Sequence, residues 1–429
     1  MGVLIVVAIL VSGTATALAT PFAPEAQAVR QCERHPDMTT QPSAAPPAEL
    51  LQLIDEHLDD ERLDNTGLAL VVWIEGYTDV ITRLPDLRLR PASNQKLLTA
   101  MTAFERLGAD YRFTTTVATD GLLADGVLDG NLYLIGGGDA TLASVEEHSL
   151  ETLATRLAEA GIRQVTGAVI GDESRYDTLR EAKGWLPLNI PESMGSLSAL
   201  SVDENRWRAD WPFIADPALA NAALFAATLA TAGISSVQDP RVGVAPPDAV
   251  VVTTLESAPL SELMAIMLTE SDNMIAELTT KEIGLVINGE GSTAAGVRVA
   301  AEVVAELCVR GTTLQHDGSG LSHANARSAR SWVELLQSAQ SRPWWQFLYD
   351  GLPVAGVSGT LERRFVDTAA ENNLRAKTGS ISRLRALSGM LTTAGGRRVF
   401  FSAIVDARNP RPGIAAVDDL LIALAEDES

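Results

Sequence analysis

Segments from opposite ends of the chain predict one shared β-sheet, and this feature constrains the fold most. Near the C-terminus, residues 374–380, 385–392 and 399–405 alternate like neighbouring antiparallel strands. Near the N-terminus, two apolar segments, 68–73 and 79–82, flank Gly76 and predict a hairpin that can join the same sheet. Helical spacing of apolar residues predicts helices at 48–58, 260–285, 296–309 and 414–426. We therefore expect an α+β protein.

The region from residue 114 to residue 252 has a different texture, with short apolar runs broken by Gly, Asp and Asn. Strands are predicted at 114–118, 127–128, 131–135 and 164–170, and helices at 150–160 and 224–232. It contains no catalytic pairing, so we interpret it as an insertion with its own small core. The chain has 429 residues, which is long enough for two or three domains.

Charge and composition exclude several classes of function. The chain has 33 basic and 55 acidic residues, and its net charge of −22 disfavours binding to nucleic acid or to an anionic lipid surface. It has no His-Glu-x-x-His and no Gly-x-Ser-x-Gly, which disfavours a metalloprotease and a Ser-His-Asp hydrolase. We expect no metal and no cofactor. Cys32, and Cys308 on a predicted buried helix face, are assigned no structural role.

The N-terminus predicts export. Residues 1–19 are apolar and end in Ala17-Leu18-Ala19, which fits a signal peptidase site. No Lys or Arg precedes the apolar run, so an uncleaved membrane anchor and a cytosolic helix stay open as alternatives. Residues 20–48 are rich in Ala, Pro, Thr and Gln and predict a flexible leader. Membrane contact is expected only through an uncleaved N-terminal segment.

Ser93 and Lys96 lie three residues apart at the predicted start of a helix, after Pro91, and so share one face of its first turn. A serine hydroxyl needs a base to become a nucleophile, and a lysine can serve if its surroundings lower its pKa. The chain has only four lysines, since arginine is its usual cation. The pair suggests covalent catalysis, although so short a motif also arises by chance.

Two later segments complement this pair. Ser271-Asp272-Asn273 places a hydroxyl and a carboxamide among apolar residues, and Lys377-Thr378-Gly379-Ser380 places a lysine beside a strand glycine. Taken alone, the first also fits an ordinary helix break and the second a solvent-facing edge strand. Ser-x-x-Lys, Ser-x-Asn and Lys-Thr-Gly together, in this order, form a known catalytic set of penicillin-binding proteins and class A β-lactamases.

Further segments resemble the D-alanyl-D-alanine carboxypeptidase/endopeptidase family, the low-molecular-mass class C penicillin-binding proteins (peptidase family S13). The resemblance spans about residue 63 to the C-terminus, and its segments are 91–100, 134–139, 271–277, 317–322, 352–356 and 359–361. It implies a transpeptidase domain like that of penicillin-binding proteins and serine β-lactamases, from residues 49–113 and 253–429. The insertion at 114–252 would then form two small α/β-type domains.

The resemblance also implies roles for individual residues. Ser93 would be the acylated nucleophile, Lys96 its base and Ser271 a proton relay to the leaving amine. The implied substrate-binding residues are Asn273 for the substrate amide, Lys377, Thr378 and Gly379 for the carboxylate end, and Ser380, whose N–H would join that of Ser93 in an oxyanion hole. Asp172, Tyr176 and Ser382 would recognise the free end of the stem peptide, although Asp172 and Tyr176 equally fit a turn with a buried aromatic. His323 stands where the family often has arginine.

The implied function is a serine D,D-peptidase, a D-Ala-D-Ala carboxypeptidase or D,D-endopeptidase, acting in the cell envelope on peptidoglycan stem peptides and inhibited covalently by β-lactams. Two alternatives stay open. One is a β-lactamase or esterase on the same scaffold, and the other is a non-catalytic wall-binding or sensor protein, which the complete motif set disfavours.

Overall fold

The computed structural model describes residues 44–77, 81–206, 214–310 and 313–429. The predicted signal peptide, most of the predicted leader and Cys32 lie outside these ranges. Cys308 lies in a turn after a helix, where it is disulfide-bonded and half-buried, so the expectation of a buried helix face is wrong. None of the helices in the described ranges is long and apolar enough to cross a membrane.

The helices agree closely with the periodicity of the sequence. The α-helices of the described residues are α1 (Ala48–Leu58), α2 (Gln95–Arg106), α3 (Leu150–Glu159), α4 (Asn189–Glu192), α5 (Pro217–Thr231), α6 (Leu260–Thr269), α7 (Asn273–Asn288), α8 (Thr293–Glu306), α9 (Ala329–Ala339), α10 (Trp345–Asp350) and α11 (Arg411–Glu426). The helices predicted at 48–58 and 414–426 are confirmed. The segment predicted as helical over 260–285 is two helices, α6 and α7, because the chain breaks at Ser271.

The described residues also form strands. They are β1 (Gly67–Ile74), β2 (Ile81–Arg83), β3 (Arg88–Leu89), β4 (Thr114–Thr119), β5 (Leu122–Ala124), β6 (Val127–Asp129), β7 (Leu132–Ile135), β8 (Gln164–Val165), β9 (Val169–Asp172), β10 (Ser235–Ser236), β11 (Arg241–Val242), β12 (Val250–Glu256), β13 (Arg327–Ser328), β14 (Arg375–Ile381), β15 (Leu384–Thr392) and β16 (Arg398–Asp406). The single strand predicted at 164–170 is wrong, since β8 and β9 belong to different sheets.

The predicted sheet from both chain ends is present, with strand order β14-β15-β16-β1-β2 and antiparallel pairing throughout. Alternate residues of β1 face two different cores. Leu68, Leu70 and Val72 pack with residues of α1 and α11, while Ala69 and Val71 pack with residues of α2 and α6 to α9. Burial on both faces explains why β1 is an almost unbroken apolar run.

Two further sheets, both mixed, are built from residues 114–256. One has the order β10-β8-β6-β5 and the other β11-β9-β7-β4-β12, and helices α3 and α5 share a core with them. The last strand, β12, crosses the boundary predicted at residue 252. The expected α+β architecture, with a sheet between helices and a large region of α/β type, is confirmed.

Candidate active site

Ser93 lies in a short 3-10 turn, Ala92–Asn94, that leads directly into α2. Two contacts fix this turn on the central sheet. The Asn94 amide donates to Ser388 Oγ on β15 at 2.6 Å, and a Cβ added at Gly379 of β14 would lie 2.9 Å from the Pro91 carbonyl oxygen. A side chain at position 379 would therefore push the turn away from the strand. The glycine of Lys-Thr-Gly thus brings β14 against the turn that carries Ser93.

Lys96 is fully buried at the second position of α2, one turn after Ser93, and its Nζ has three neighbours. Its Nζ lies 3.3 Å from Ser93 Oγ, 2.7 Å from Asn273 Oδ1 and 2.8 Å from the carbonyl oxygen of Ser319. An amide oxygen and a backbone carbonyl can only accept hydrogen bonds, so both must receive an N–H of the lysine. The remaining position on Nζ is the one that faces the Ser93 hydroxyl.

The surroundings of Lys96 favour its neutral form. Burial lowers its pKa from 10.5 to about 8, against the smaller opposing effects of the Asp272, Asp317 and Glu277 carboxylates. A neutral amine has two N–H donors and one lone pair. With the two donors committed to Asn273 and Ser319, the lone pair points to Ser93, which is the arrangement a general base requires.

The Ser-x-Asn segment forms the break between α6 and α7. Ser271 has a left-handed backbone (φ 63°), which costs a serine of order 1 kcal/mol or more, and Ala92 beside Ser93 has φ 49°. The Asp272 carboxylate accepts from the Ile275 N–H and caps α7, so the alternative of a capped helix break is also true. The break is what turns Asn273 toward Lys96. The hydroxyl of Ser271 has no hydrogen-bond partner among the described residues.

The carboxamide of Asn273 is held from both sides. Its Oδ1 accepts from Lys96, and its Nδ2 donates to the backbone carbonyl of Ser193 at 3.0 Å. Ser193 lies in the inserted region, just after α4. This second contact fixes which end of the amide faces the lysine, and sequence reasoning missed it because a backbone carbonyl leaves no trace in residue identity.

Lys377 is buried on β14, the edge strand of the central sheet. Its Nζ donates to the Thr378 carbonyl at 3.2 Å, and the Thr378 hydroxyl donates to Thr360 Oγ1 at 2.8 Å. Burial, followed by the positive charge of Lys96, lowers the pKa of Lys377 well below its usual value, while Glu270 opposes this. Lys377 makes no ion pair within the described residues, so an anion arriving beside it would favour the protonated amine and offset the effects of burial and of Lys96.

A loop at residues 317–322 completes the surroundings of Lys96. The buried carboxylate of Asp317 accepts from the N–H groups of Gly320 and Ser322, from the Asn325 amide and from the indole of Trp185. These bonds hold the loop so that Ser319 presents its carbonyl to Lys96. Trp185 comes from the inserted region, which therefore supports the site a second time. The sequence motif locates this loop but gives no indication of Trp185.

The rim of the site carries His323 and the β14–β15 turn. Ser380 and Ser382 are exposed there, and the Ser382 carbonyl accepts from Arg90 at 3.4 Å. Arg90 also lies 3.3 Å from Nδ1 of His323, and 3.6 Å from Asp406. Partial burial, and then the charge of Arg90, lower the pKa of His323. Arg90, three residues before Ser93, therefore supplies the positive charge at this rim.

Asp172 and Tyr176 are not brought to the site. Both oxygens of Asp172 accept backbone N–H groups, from Ser174 and Ala245, within the inserted region. The buried Tyr176 hydroxyl donates to Glu282, which is nine residues along α7 from Asn273, or about 13 Å at 1.5 Å per residue. Neither residue has a hydrogen bond to Ser93, Lys96 or Asn273 among the described residues, and their role in substrate recognition stays a prediction. The segment that does reach the site is 185–193.

Known proteins of one family resemble this chain over most of its length. A model of the D-Ala-D-Ala carboxypeptidase 3 (S13) family matches residues 50–212 and 208–424, which is most of the chain. The chain belongs to this family. The resemblance stated from the sequence is thereby confirmed.

Individual relatives agree with the family. The chain is 30% identical to a D-alanyl-D-alanine carboxypeptidase of Actinomadura sp., over 90% of this chain and 86% of that protein. It is also 30% identical to carboxypeptidase DacB of Mycolicibacterium smegmatis, over 85% and 79%. Penicillin binding protein 4 of Haemophilus influenzae has the same fold, with a TM-score of 0.78 at 20% identity, covering 89% of this chain and all of the other.

The predicted class of enzyme, a serine-type D-Ala-D-Ala carboxypeptidase of the penicillin-binding type, is confirmed by this membership. The chain is accordingly a hydrolase of the D,D-peptidase class.

Proposed function

We propose that this chain cleaves the D-Ala–D-Ala end of peptidoglycan stem peptides through an acyl-Ser93 intermediate, as a carboxypeptidase and, on cross-linked peptides, as a D,D-endopeptidase. The observation that carries this proposal is the contact between Lys96 Nζ and Ser93 Oγ at 3.3 Å, with the other lysine donors fixed by Asn273 and Ser319. Family membership and the printed names of the relatives support the choice of substrate.

Acylation begins when neutral Lys96 takes the proton of the Ser93 hydroxyl. The Ser93 oxygen bonds to the carbonyl carbon of the penultimate D-Ala, and the negative charge on the former carbonyl oxygen is met by the N–H groups of Ser93 and Ser380. The position of β14 at the edge of its sheet supports this role for Ser380. The tetrahedral intermediate then collapses and the C–N bond breaks.

The departing amine needs a proton, which Lys96 returns through the hydroxyl of Ser271. Asn273 holds the substrate amide during this step, so the substrate must compete with Ser193 for Nδ2 of Asn273. A water molecule then attacks the acyl carbon, loses a proton to the same base and releases the shortened peptide as a carboxylic acid. The proton returns to the Ser93 oxygen as the acyl bond breaks, and the products are the shortened peptide and free D-Ala.

Lys377 and Thr378 bind the terminal carboxylate of the substrate. The low pKa of Lys377 in the free enzyme is caused by burial and by Lys96, and a bound carboxylate offsets both by pairing with the ammonium. Binding therefore draws a proton onto Lys377. At the other end of the peptide, Arg90 takes the place of the arginine that His323 replaces, and it recognises an acidic group together with Ser382.

The cellular setting follows from the substrate. The chain acts outside the cytoplasm in the cell envelope, exported by a signal peptide at residues 1–19, and a leader at 20–48 precedes the catalytic domain. That domain comprises residues 49–113 and 253–429, and the inserted domains comprise 114–252. The segments 185–193 and 317–322 lie in different domains in this division and meet at the site.

The test is labelling by a fluorescent penicillin, followed by turnover of a D-Ala-D-Ala peptide. Wild type should form a stable acyl-enzyme and release D-Ala, and Ser93→Ala should abolish both. Ser322→Ala is the matched control and should retain labelling, because the Ser322 hydroxyl bonds only to the Lys183 carbonyl and the Ala324 N–H, and the backbone N–H that donates to Asp317 is kept. Labelling that persists in Ser93→Ala would remove Ser93 as the nucleophile. Rapid hydrolysis of the penicillin would indicate a β-lactamase instead.

A further inference from the structure

Glu277 is a buried acid beside Lys96 that the proposed mechanism does not use. It lies one turn after Asn273 on α7 and is completely buried. Its Oε1 accepts the backbone N–H groups of Gly318, at 2.9 Å, and Ser319, at 2.7 Å. The carbonyl of the same Ser319 accepts from Lys96 Nζ at 2.8 Å. One residue therefore links Glu277 to the lysine.

We propose that Glu277 is a positioning residue for Lys96: it holds the Gly318-Ser319 backbone so that the Ser319 carbonyl fixes one lysine N–H, and it does so as an uncharged acid. This inference rests on the proposed function, in which Lys96 is the base.

The two bonds from the Gly318 and Ser319 N–H groups to Glu277 have a specific geometry. Two successive N–H groups converge on one oxygen, and the neighbouring Gly318 carbonyl is held from the other side by the Thr99 hydroxyl of α2 at 2.7 Å. Gly320 is pressed against the Ala92 carbonyl, where an added Cβ would lie only 1.9 Å away. The loop thus has no freedom to tilt Ser319 without breaking the bonds to Glu277.

The neutral state follows from the groups that face Glu277. Lys96 on α2 makes no hydrogen bond to Glu277, because its Nζ contacts Ser93, Asn273 and Ser319. Asp317 on the loop is a second carboxylate, and it accepts five hydrogen bonds, from Trp185, Ser319, Gly320, Ser322 and Asn325. Lys281, one turn further along α7, is engaged with Asp177 and the Leu179 carbonyl.

The second oxygen of Glu277, Oε2, is buried and has no hydrogen-bond partner within the described ranges of the chain. A charged carboxylate there would bury a charge that is unpaired on one side and repelled by Asp317, whereas a carboxylic acid avoids the repulsion and leaves only an unpaired hydroxyl, which costs much less to bury than a charge. In agreement, burial and then Asp317 raise the pKa of Glu277 to about 8. An uncharged Glu277 also spares Lys96 a third nearby negative charge, which would hold the lysine in its protonated, inactive form.

Glutamine reproduces the proposed state, because its amide oxygen accepts the same two N–H groups without a charge. The experiment compares Glu277→Gln, Glu277→Ala and Glu282→Gln by the rate of acylation with fluorescent penicillin between about pH 6 and pH 9. Glu282 is the matched control, since it is an equally buried glutamate on α7 that bonds only to Tyr111, Arg175 and Tyr176.

Glu277→Gln should acylate within about threefold of wild type near pH 7, with the midpoint of its pH profile unchanged or lower. Glu277→Ala should lose roughly tenfold to a hundredfold at every pH, because the Ser319 carbonyl is no longer held. Glu282→Gln should reduce thermal stability and leave the pH midpoint unchanged.

A loss in Glu277→Gln as large as that in Glu277→Ala would show that the charge is required and overturn the inference. So would a wild-type rate in Glu277→Ala. If the alanine variant does not fold, the glutamine variant decides alone. Failure of the wild type to be acylated at Ser93 is a different outcome: it overturns the proposed function and, with it, this inference.

Discussion

Replacing Lys96 with methionine should reveal what a buried lysine, the proposed base, costs the folded protein. Methionine keeps most of the apolar stem and removes the amine. The unfolded chain binds a proton with the ordinary lysine pKa of 10.5, whereas in the folded protein burial lowers that pKa to about 8. At neutral pH this difference corresponds to about 3 kcal/mol, at 1.4 kcal/mol for each pKa unit.

The sign and the pH range of this cost follow from the two pKa values. The folded state binds the proton less tightly, so the cost is full below about pH 8 and falls as the pH rises toward 10.5. Near pH 9 about 2 kcal/mol is left. The variant also loses the hydrogen bonds to Asn273 and Ser319, of about 1 kcal/mol each, but this loss is the same at both pH values.

The measurement is urea unfolding of wild type and Lys96→Met near pH 7 and near pH 9. The stability of the variant relative to wild type should be more favourable near pH 7 than near pH 9 by about 1 kcal/mol. Ser93→Ala is the control, because it removes the nucleophile and keeps the amine, and its relative stability should not change with pH. An equal difference at both pH values for Lys96→Met would refute the lowered pKa, and a larger advantage at pH 9 would reverse its sign.

Three further substitutions test the other parts of the site. Lys377→Ala should lower turnover of a peptide with a free terminal carboxylate roughly tenfold or more and spare a neutral ester, and equal losses would remove its carboxylate role. Gly379→Ala should slow acylation, since its Cβ would press on the Pro91 carbonyl, and a wild-type rate would contradict this contact. Arg90→Gln should raise the KM for a stem peptide with an acidic side chain severalfold and leave kcat unchanged; the same KM would exclude Arg90 from recognition.

The central fold and the contact between Ser93 and Lys96 could be predicted because their signals are local. The alternation of the C-terminal strands and the apolar run of β1 follow directly from burial on one or both faces of a sheet. Ser93 and Lys96 are brought together by one helical turn, so three positions of sequence determine their contact.

The other contacts of the candidate site could not be predicted, because they join distant segments of the chain, partly through backbone atoms. The Ser193 carbonyl and the Trp185 indole reach the site from the insertion, and no spacing rule in the sequence connects position 185 to position 317. The same limit applies to Asp172 and Tyr176, whose role in recognition stays a prediction. A polar residue in a loop and a nearby aromatic suit a recognition site or a buried network equally well, and the bonds to Ala245 and Glu282 became visible only in the structure.

Through these long-range contacts the inserted region helps to build the candidate active site. Asn273 can direct its oxygen to Lys96 because the Ser193 carbonyl holds its nitrogen, and the loop that presents Ser319 is bonded to Trp185. If Asn273 binds the substrate amide, as we propose, that amide takes the place of the Ser193 carbonyl, and the Asn273 oxygen stays directed at Lys96 while segment 185–193 is released. Under this proposal, substrate binding and the position of that segment are coupled through a single carboxamide, and Lys96 keeps its orientation in both states.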